Sequence, residues 1–169
     1  AARLGCRKLC PCWQGGWVPS KLAGARSGLD TTLPGNQWAK MGVKPGGGKL
    51  ANLPASLLLP QGRKGPAFLA YPNYSVYFEW NKSFVYVTTA AYFANRLEGK
   101  ARYNAGNPDT GLSGNQMKQL QKKLKARGHD VGKVDGILGK LTRRAVQAEQ
   151  VRLGLPADAW PTPQLLNAL

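Results

Sequence analysis

The sequence predicts an α+β protein that is mainly α-helical and consists of two small units. Three observations lead to this prediction. A short apolar run, Phe68 to Tyr71, is typical of a strand, and apolar residues then recur at helical spacing as far as Leu97. Helical periods also fill residues 113–169. Residues 101–112, between the two units, are rich in Gly, Asn and Pro and are expected to form a linker.

The chain carries a strong positive charge. Its 169 residues include 24 Lys and Arg against 8 Asp and Glu, which gives a formal net charge of +16. Such a charge requires an anionic partner, which could be nucleic acid, an acidic membrane surface or a carboxylate-bearing polymer such as a cell wall. The basic residues are spread along the chain, so the charge does not choose among these partners. No apolar run approaches the roughly 20 residues of a membrane-spanning helix.

The first part of the chain has little periodic structure. Gly and Pro interrupt residues 1–66 repeatedly, so only short segments are expected there. Residues 1–16 form an atypical N-terminal segment that holds all three cysteines, Cys6, Cys10 and Cys12. Their CxxxCxC spacing matches no recognised zinc motif. We therefore predict neither a metal site nor a cofactor.

The most ordered stretch of the first unit is predicted between residues 67 and 97. After the strand, Pro72-Asn73 is expected to turn the chain, and Asn81 or Ser83 to cap a helix that stops at Gly99. The helix side expected to be apolar consists of Val85, Ala90, Ala91, Phe93, Ala94 and Leu97. The aromatic residues before the cap alternate as in a strand and are expected to pack in a core; they are Tyr74, Tyr77 and Phe78.

The second unit begins with a clear helix signal. Ser113 followed by Gln116 predicts a capping box, and the helix is expected to end at Gly128. Its apolar face consists of Met117, Leu120 and Leu124. The single histidine, His129, follows and is expected to be a solvated loop residue.

Two further helices complete the predicted unit. The apolar side of the second is expected to consist of Leu141, Ala145 and Ala148. The third begins at Thr162 as the cap and Pro163 as the first helical residue. Three short helices around one small core are therefore predicted.

The second unit also carries a set of motifs at fixed spacing. They are QLQxxL from Gln119, GxVDGxxGxxTxxA from Gly132 and GLPAD from Gly154. In this combination residues 113–169 resemble the bacterial peptidoglycan-binding domain, a small helical module. The family usually has Phe-Gln late in its second helix, whereas this chain has Glu149-Gln150, which removes an aromatic core contact.

The first unit carries a second set of motifs. They are LLLPxG from Leu57, GPAFLxYxN from Gly65 and WNxSxxY from Trp80. These resemble the C-terminal part of the catalytic domain of B-type lytic murein transglycosylases, and a weaker similarity extends back to about Trp17. Residues 17–100 are thus expected to form an incomplete lysozyme-like transglycosylase subdomain.

The resemblance implies a substrate and a reaction. The family cleaves peptidoglycan between N-acetylmuramic acid and N-acetylglucosamine and closes a 1,6-anhydro ring, with one glutamate acting first as acid and then as base. None of the acids in the first unit, Asp30, Glu79 and Glu98, matches the motif of that glutamate. The chain is therefore expected to bind glycan without cutting it and to contain no catalytic residue. The substrate implies a bacterial periplasmic or cell-wall location.

The resemblance also implies binding residues. Asn81 and Tyr86 match positions that contact sugar in the family, and Trp80 stands where a tyrosine is more usual. The predicted substrate-binding set is Trp80, Asn81, Ser83, Tyr86 and Asn73. In the second unit the predicted peptidoglycan-binding loop comprises Lys133, Asp135, Gly136 and Arg144. Asp135 and Gly136 are expected mainly to shape the loop, while Lys133 and Arg144 could meet muropeptide carboxylates.

Alternative interpretations are open from the sequence. The chain could be a fragment whose missing catalytic half is its partner, or a complete binding protein. Two basic helices joined by a glycine-containing connection also resemble a nucleic-acid-binding helix-turn-helix, although the connection from Gly128 to Gly139 is long for that motif. An active transglycosylase that uses Glu79 is a third possibility.

Overall fold

A small antiparallel sheet lies at the centre of the first unit. The computed structural model describes residues 27–44, 50–99 and 102–169, so the three cysteines lie outside the described residues. The strands β1 (Leu33–Pro34), β2 (Pro54–Leu58) and β3 (Phe68–Ala70) pair in that order. Leu33 lies opposite Ala55, and Leu57 lies opposite Leu69.

Both faces of this sheet are covered because its strands are apolar throughout. Successive side chains of β2 point to opposite faces, so Leu57 packs with Trp38 while Leu58 packs with Val87. Trp38 lies in helix α1 (Gly35–Lys40), is fully buried, and donates its Nε1 hydrogen to the carbonyl of Ala55 at 2.8 Å. The sheet therefore holds α1 on one face and the remaining helices of the unit on the other.

Helices α2 (Asn73–Trp80) and α3 (Phe84–Leu97) cover the second face of the sheet. The strand-like interpretation of the aromatic residues in α2 is wrong, because their spacing of three and four residues places Tyr74, Tyr77 and Phe78 on one helix face. Ser83 caps α3 as predicted, accepting a hydrogen bond from the backbone N–H of Tyr86.

The predicted apolar face of α3 is only partly correct. The buried residues of this helix are Val87, Ala91 and Asn95. Val85, Phe93 and Leu97 are instead more than 60% exposed. The chain offers apolar residues on both sides of this helix, and only the sheet's position decides which side is buried.

The second unit is a three-helix module built as predicted. Its helices are α4 (Gly114–Ala126), α5 (Lys140–Arg152) and α6 (Pro163–Ala168), and the capping box of Ser113 and Gln116 is formed. Thr162 caps α6. In α5 the prediction for Leu141 is wrong: it is 37% exposed, while Thr142 beside it is buried. The fold class is confirmed as mainly helical with a small sheet.

The two units contact each other along α5 and the loop that follows it. Arg143 donates to the carbonyl of Pro60 at 2.9 Å, and Gln147 donates to the carbonyl of Ser27 at 2.9 Å. Arg63 donates its backbone N–H to Asp158 at 3.0 Å. These bonds fix the orientation of the module relative to the sheet. None of the helices in the described ranges is long and apolar enough to span a membrane.

Candidate functional site

The corner between α2 and α3 brings together four of the predicted binding residues. Asn81 accepts a hydrogen bond from the N–H of Ser83 at 2.8 Å, and the Ser83 hydroxyl accepts from Tyr86 at 3.3 Å. The two polar side chains therefore build the corner. Ser83 is committed to the helix cap, whereas the amide nitrogen of Asn81 has no bonding partner among the described residues.

An aromatic pair stands on this corner. The ring centroids of Trp80 and Tyr86 are 5.4 Å apart with an interplanar angle of 56°. Trp80 is 70% exposed and Tyr86 is 48% exposed. Exposed rings of this kind offer apolar faces together with polar edges, which suits the C–H faces and hydroxyls of a pyranose.

Asn73 does not join the corner. Asn73 begins α2 and Trp80 ends it. Seven residues at a rise of 1.5 Å each separate the two by about 10 Å along the helix axis. Its side chain is exposed. The structure therefore places this predicted binding residue at a different end of the helix.

The predicted loop of the second unit is held by a buried glutamine, Gln121, which belongs to the QLQxxL motif but was not predicted to bind the loop. Gln121 accepts from the N–H of Gly136 at 2.9 Å and donates to Asp135 and to Thr142. The signal in the sequence was a polar residue placed inside the apolar repeat of α4. Asp135 also accepts from Ile137 at 2.8 Å, and this bond, followed by the bond from Gln121, lowers the pKa of the Asp135 carboxyl. Asp135 and Gly136 therefore shape the loop.

The two predicted cations of the second unit differ in their surroundings. The Lys133 side chain is exposed on the loop. Arg144 lies on α5, where its Nη2 is 2.9 Å from Asp30 Oδ2, and Lys140 Nζ is 3.5 Å from the other oxygen of Asp30. The hydrogen bond from Arg144 is the main reason that the pKa of Asp30 is lowered. Arg144 thus already binds a carboxylate of the first unit.

None of the acids considered from the sequence has the environment of a general acid. Asp30 is held ionised by Arg144 and Lys140. Glu79 and Glu98 are exposed near the ends of α2 and α3. A carboxyl group that donates a proton near neutral pH needs partial burial that raises its pKa.

The interpretation of His129 as a solvated residue is wrong. Its Nε2 lies 2.8 Å from Glu149 Oε1, and Arg152 binds the other oxygen of the same carboxylate at 2.7 Å. The Glu149 carboxylate can be buried because Arg152, and Arg127 at 3.8 Å, neutralise its charge. A cationic cluster thus replaces the aromatic contact expected at this position. Among the described residues no group of His, Cys, Asp and Glu could hold a metal ion.

The connection between α4 and α5 excludes the helix-turn-helix arrangement. Residues 127–139 separate the two helices, whereas that motif joins its helices by three or four residues. The described residues instead form a sheet-containing unit that carries the exposed aromatic corner and a three-helix unit that follows it.

Two family models match separate parts of the chain. Residues 13–95 match the transglycosylase SLT domain, and residues 113–169 match the peptidoglycan binding domain. These matches confirm the resemblance derived from the motifs and give no support to nucleic-acid binding. No curated protein matches the chain significantly.

Two crystal structures of SltB3 from Pseudomonas aeruginosa share the fold. The complex with NAG-anhNAM-pentapeptide is 39% identical with a TM-score of 0.69, covering 92% of this chain and 44% of that one. The complex with NAG-NAM-pentapeptide is 38% identical with a TM-score of 0.71, covering 94% and 44%. The chain therefore spans less than half the length of SltB3.

Proposed function

We propose that this chain binds peptidoglycan as the C-terminal portion of a lytic murein transglycosylase that cleaves MurNAc-GlcNAc strands to 1,6-anhydro products. The observation that carries the proposal is the exposed Trp80 and Tyr86 pair beside Asn81, within the part that matches the transglycosylase family. The likeness to SltB3 complexes that contain NAG and anhNAM or NAM supports the same substrate class.

The described part of the chain binds glycan but does not cut it. Of the carboxyl groups in the first unit, Asp30 is ion-paired, and Glu79 and Glu98 are exposed. The acid of the reaction then belongs to a partner segment, the remainder of a longer protein. Apolar residues that α2 and α3 leave uncovered support such a partner; they are Val76, Val85, Phe93 and Leu97.

The second unit supplies further contacts to the wall. Lys133 is exposed and is proposed to meet muropeptide carboxylates, and Arg144, which is 60% exposed beside Asp30, is proposed to assist it. Asp135 and Gly136 hold the loop that presents Lys133. A substrate of this kind places the protein in the periplasm or at the cell wall.

A pull-down on purified sacculi tests the proposal with the full chain. We expect saturable binding that persists at moderate salt, and a clear loss in Trp80→Ala and Tyr86→Ala. Phe93→Ala is the matched control, because it removes a similarly exposed ring of α3 outside the corner. We expect mass spectrometry to detect no anhydro-muropeptides in the supernatant.

The same experiment separates the alternatives. Binding that falls steeply with salt and that DNA competes away would favour a nucleic-acid function. Release of anhydro products by the wild type and not by Glu79→Gln would contradict the absence of a catalytic acid.

A further inference from the structure

Helix α4 carries a row of three lysines on an exposed side. Lys118, Lys122 and Lys125 follow one another at spacings of four and three residues, so they lie on the same side of the helix. All three are exposed, whereas a different side of the helix is buried. At a rise of about 1.5 Å per residue, the first and the last lie about 10 Å apart along the helix axis. We call these three residues the lysine ridge.

The charges of the ridge are not neutralised within the described part of the chain. None of the three ammonium groups has an ion-pair or hydrogen-bond partner among the described residues. Two neighbouring cations differ: Lys123 donates to the carbonyl of Leu166 at 3.2 Å, and Arg127 donates to that of Leu169 at 2.8 Å. The second unit therefore binds these two cations internally and leaves the ridge unpaired.

No opposite charge on the helix offsets the ridge. Residues 110–129 contain no Asp or Glu, so nothing on α4 compensates the repulsion between lysines one turn apart. Like charges at this spacing destabilise a helix, and a negative surface placed against them relieves the repulsion. The ridge is thus unfavourable in the chain alone and becomes favourable beside an anionic partner.

The shape and chemistry of the ridge suit an extended surface. The side of a helix is convex, so it does not enclose a small ligand as a pocket does. Unlike the corner formed by Trp80 and Tyr86, the ridge offers no aromatic ring on which a pyranose could stack. Lysine ammonium groups are compact charges on flexible stems, which suit a diffuse negative field better than one fixed bidentate acceptor.

We propose that the lysine ridge docks the second unit on the surface of an anionic phospholipid bilayer. Lipid phosphates present negative charge over a wide area, and each lysine near such a surface adds to binding without a fixed partner. The choice of a bilayer over nucleic acid rests on the proposed location at the cell wall, which lies beside a membrane, and on the long connection between α4 and α5. The inference goes beyond the proposed function, because the ridge lies outside the proposed glycan contacts.

Vesicle sedimentation with the full chain tests the proposal. The probes are vesicles of phosphatidylglycerol and phosphatidylcholine in equal amounts and vesicles of phosphatidylcholine alone. We expect the wild type to sediment only with the anionic vesicles and to dissociate as the salt concentration rises. Combined Lys118→Gln, Lys122→Gln and Lys125→Gln substitution is expected to weaken this binding by at least about tenfold.

A second triple variant separates the ridge from the net charge. Combined Lys40→Gln, Lys44→Gln and Arg102→Gln substitution removes three exposed cations outside the second unit. Both triple variants therefore lower the formal charge of +16 by the same amount. The control is expected to weaken vesicle binding by less than about threefold. Equal weakening by the two triple variants would mean that only the net charge acts, and the ridge would be overturned.

A charge-preserving variant tests whether charge is the cause. Combined Lys118→Arg, Lys122→Arg and Lys125→Arg substitution is expected to bind anionic vesicles like the wild type. Gln and Arg are both good helix formers, so both ridge variants are expected to melt close to the wild type in circular dichroism. If the folded Arg variant loses binding as the Gln variant does, charge is not the cause and the proposal is overturned.

Binding to sacculi and to DNA separates this proposal from the others. We expect the Gln ridge variant to bind sacculi like the wild type; loss of sacculus binding with unchanged vesicle binding would assign the ridge to the wall and overturn the proposal. If the wild type binds sacculi but no anionic vesicles, the ridge proposal fails and the proposed function stands. If it binds anionic vesicles but no sacculi, the proposed function fails and the ridge stands. Tighter binding to duplex DNA than to vesicles at equal phosphate and salt concentrations would overturn the choice of a bilayer.

Discussion

Arg144 and Asp30, 114 positions apart in the chain, join the two units through a single carboxylate oxygen. Nε of Arg144 lies 3.2 Å from Asp30 Oδ2, and Nη2 lies 2.9 Å from the same atom. Both residues remain more than half exposed. The pair therefore orients α5 against the segment before β1, but water screens much of its energy.

Substituting Asp30 and Arg144 separately shows whether Arg144 only orients the two units or also binds glycan. We expect Asp30→Asn and Arg144→Gln each to lower the free energy of unfolding by about 0.5 kcal/mol, with a coupling energy below about 1 kcal/mol in a double-mutant cycle. Only Arg144→Gln is expected to weaken sacculus binding as well. If both variants bind sacculi equally well, Arg144 does not contact the glycan.

Arg143 is predicted to contribute more to the free energy of unfolding than Arg144 does. It lies 4.7 Å above the Phe84 ring and bonds Pro60, and burial lowers its pKa to about 10, so it stays charged at neutral pH. Arg143→Leu leaves that carbonyl unpaired and is expected to cost about 2 kcal/mol in urea unfolding. Lys122→Leu, on the exposed face of α4, is the control. A cost near zero for Arg143→Leu would mean that the contact between the units is dispensable.

Substituting two glycines of the second unit distinguishes the cost of a steric clash from the cost of backbone strain. Gly136 and Gly128 both have positive φ, +84° and +88°. A Cβ at Gly136 would lie 2.8 Å from the carbonyl oxygen of Gly114, whereas one at Gly128 meets nothing within 4 Å. We expect Gly136→Ala to lower the free energy of unfolding by about 1–2 kcal/mol more than Gly128→Ala does. Similar losses in thermal unfolding would contradict a close contact at this loop.

The buried Glu149 carboxylate predicts a dependence on pH. Burial alone would raise its pKa, but the hydrogen bonds from Arg152 and His129 outweigh burial, and the pKa is lowered from 4.5. Its stabilisation is therefore complete above pH 4.5 and is lost as the pH falls through the folded-state pKa. The stability difference between the wild type and Glu149→Gln is expected to shrink as the pH falls below this value.

Urea titrations of both proteins at a series of pH values measure that difference. Asp30 also titrates at low pH, but it is present in both proteins, so its effect cancels. A difference that grows toward low pH would mean that the environment of Glu149 favours its protonated form.

Much of the second unit could be predicted because its signals are local. The Ser113 capping box, the Thr162 cap and the apolar repeat of α4 each lie within a few consecutive residues. Backbone geometry at a helix end depends on these neighbours, so the sequence contains the necessary information. The resemblance of both units to their families also rested on contiguous motifs.

Local sequence patterns did not predict the structure correctly where the same residues fit two interpretations. In α2 the aromatic residues suited a strand or a helix, and in α3 apolar residues occupied both sides. Packing against β2 and β3 decided both cases. A short segment has too few residues for its period to settle the matter alone.

The sequence by itself thus determined most helix ends and the apolar repeat of α4, and its motifs indicated both families. The tertiary structure alone decided which residues meet across long separations: Glu149 with His129, Asp30 with Arg144, and Trp160 with the linker. No local period encodes such pairs, because each depends on how the two units are oriented.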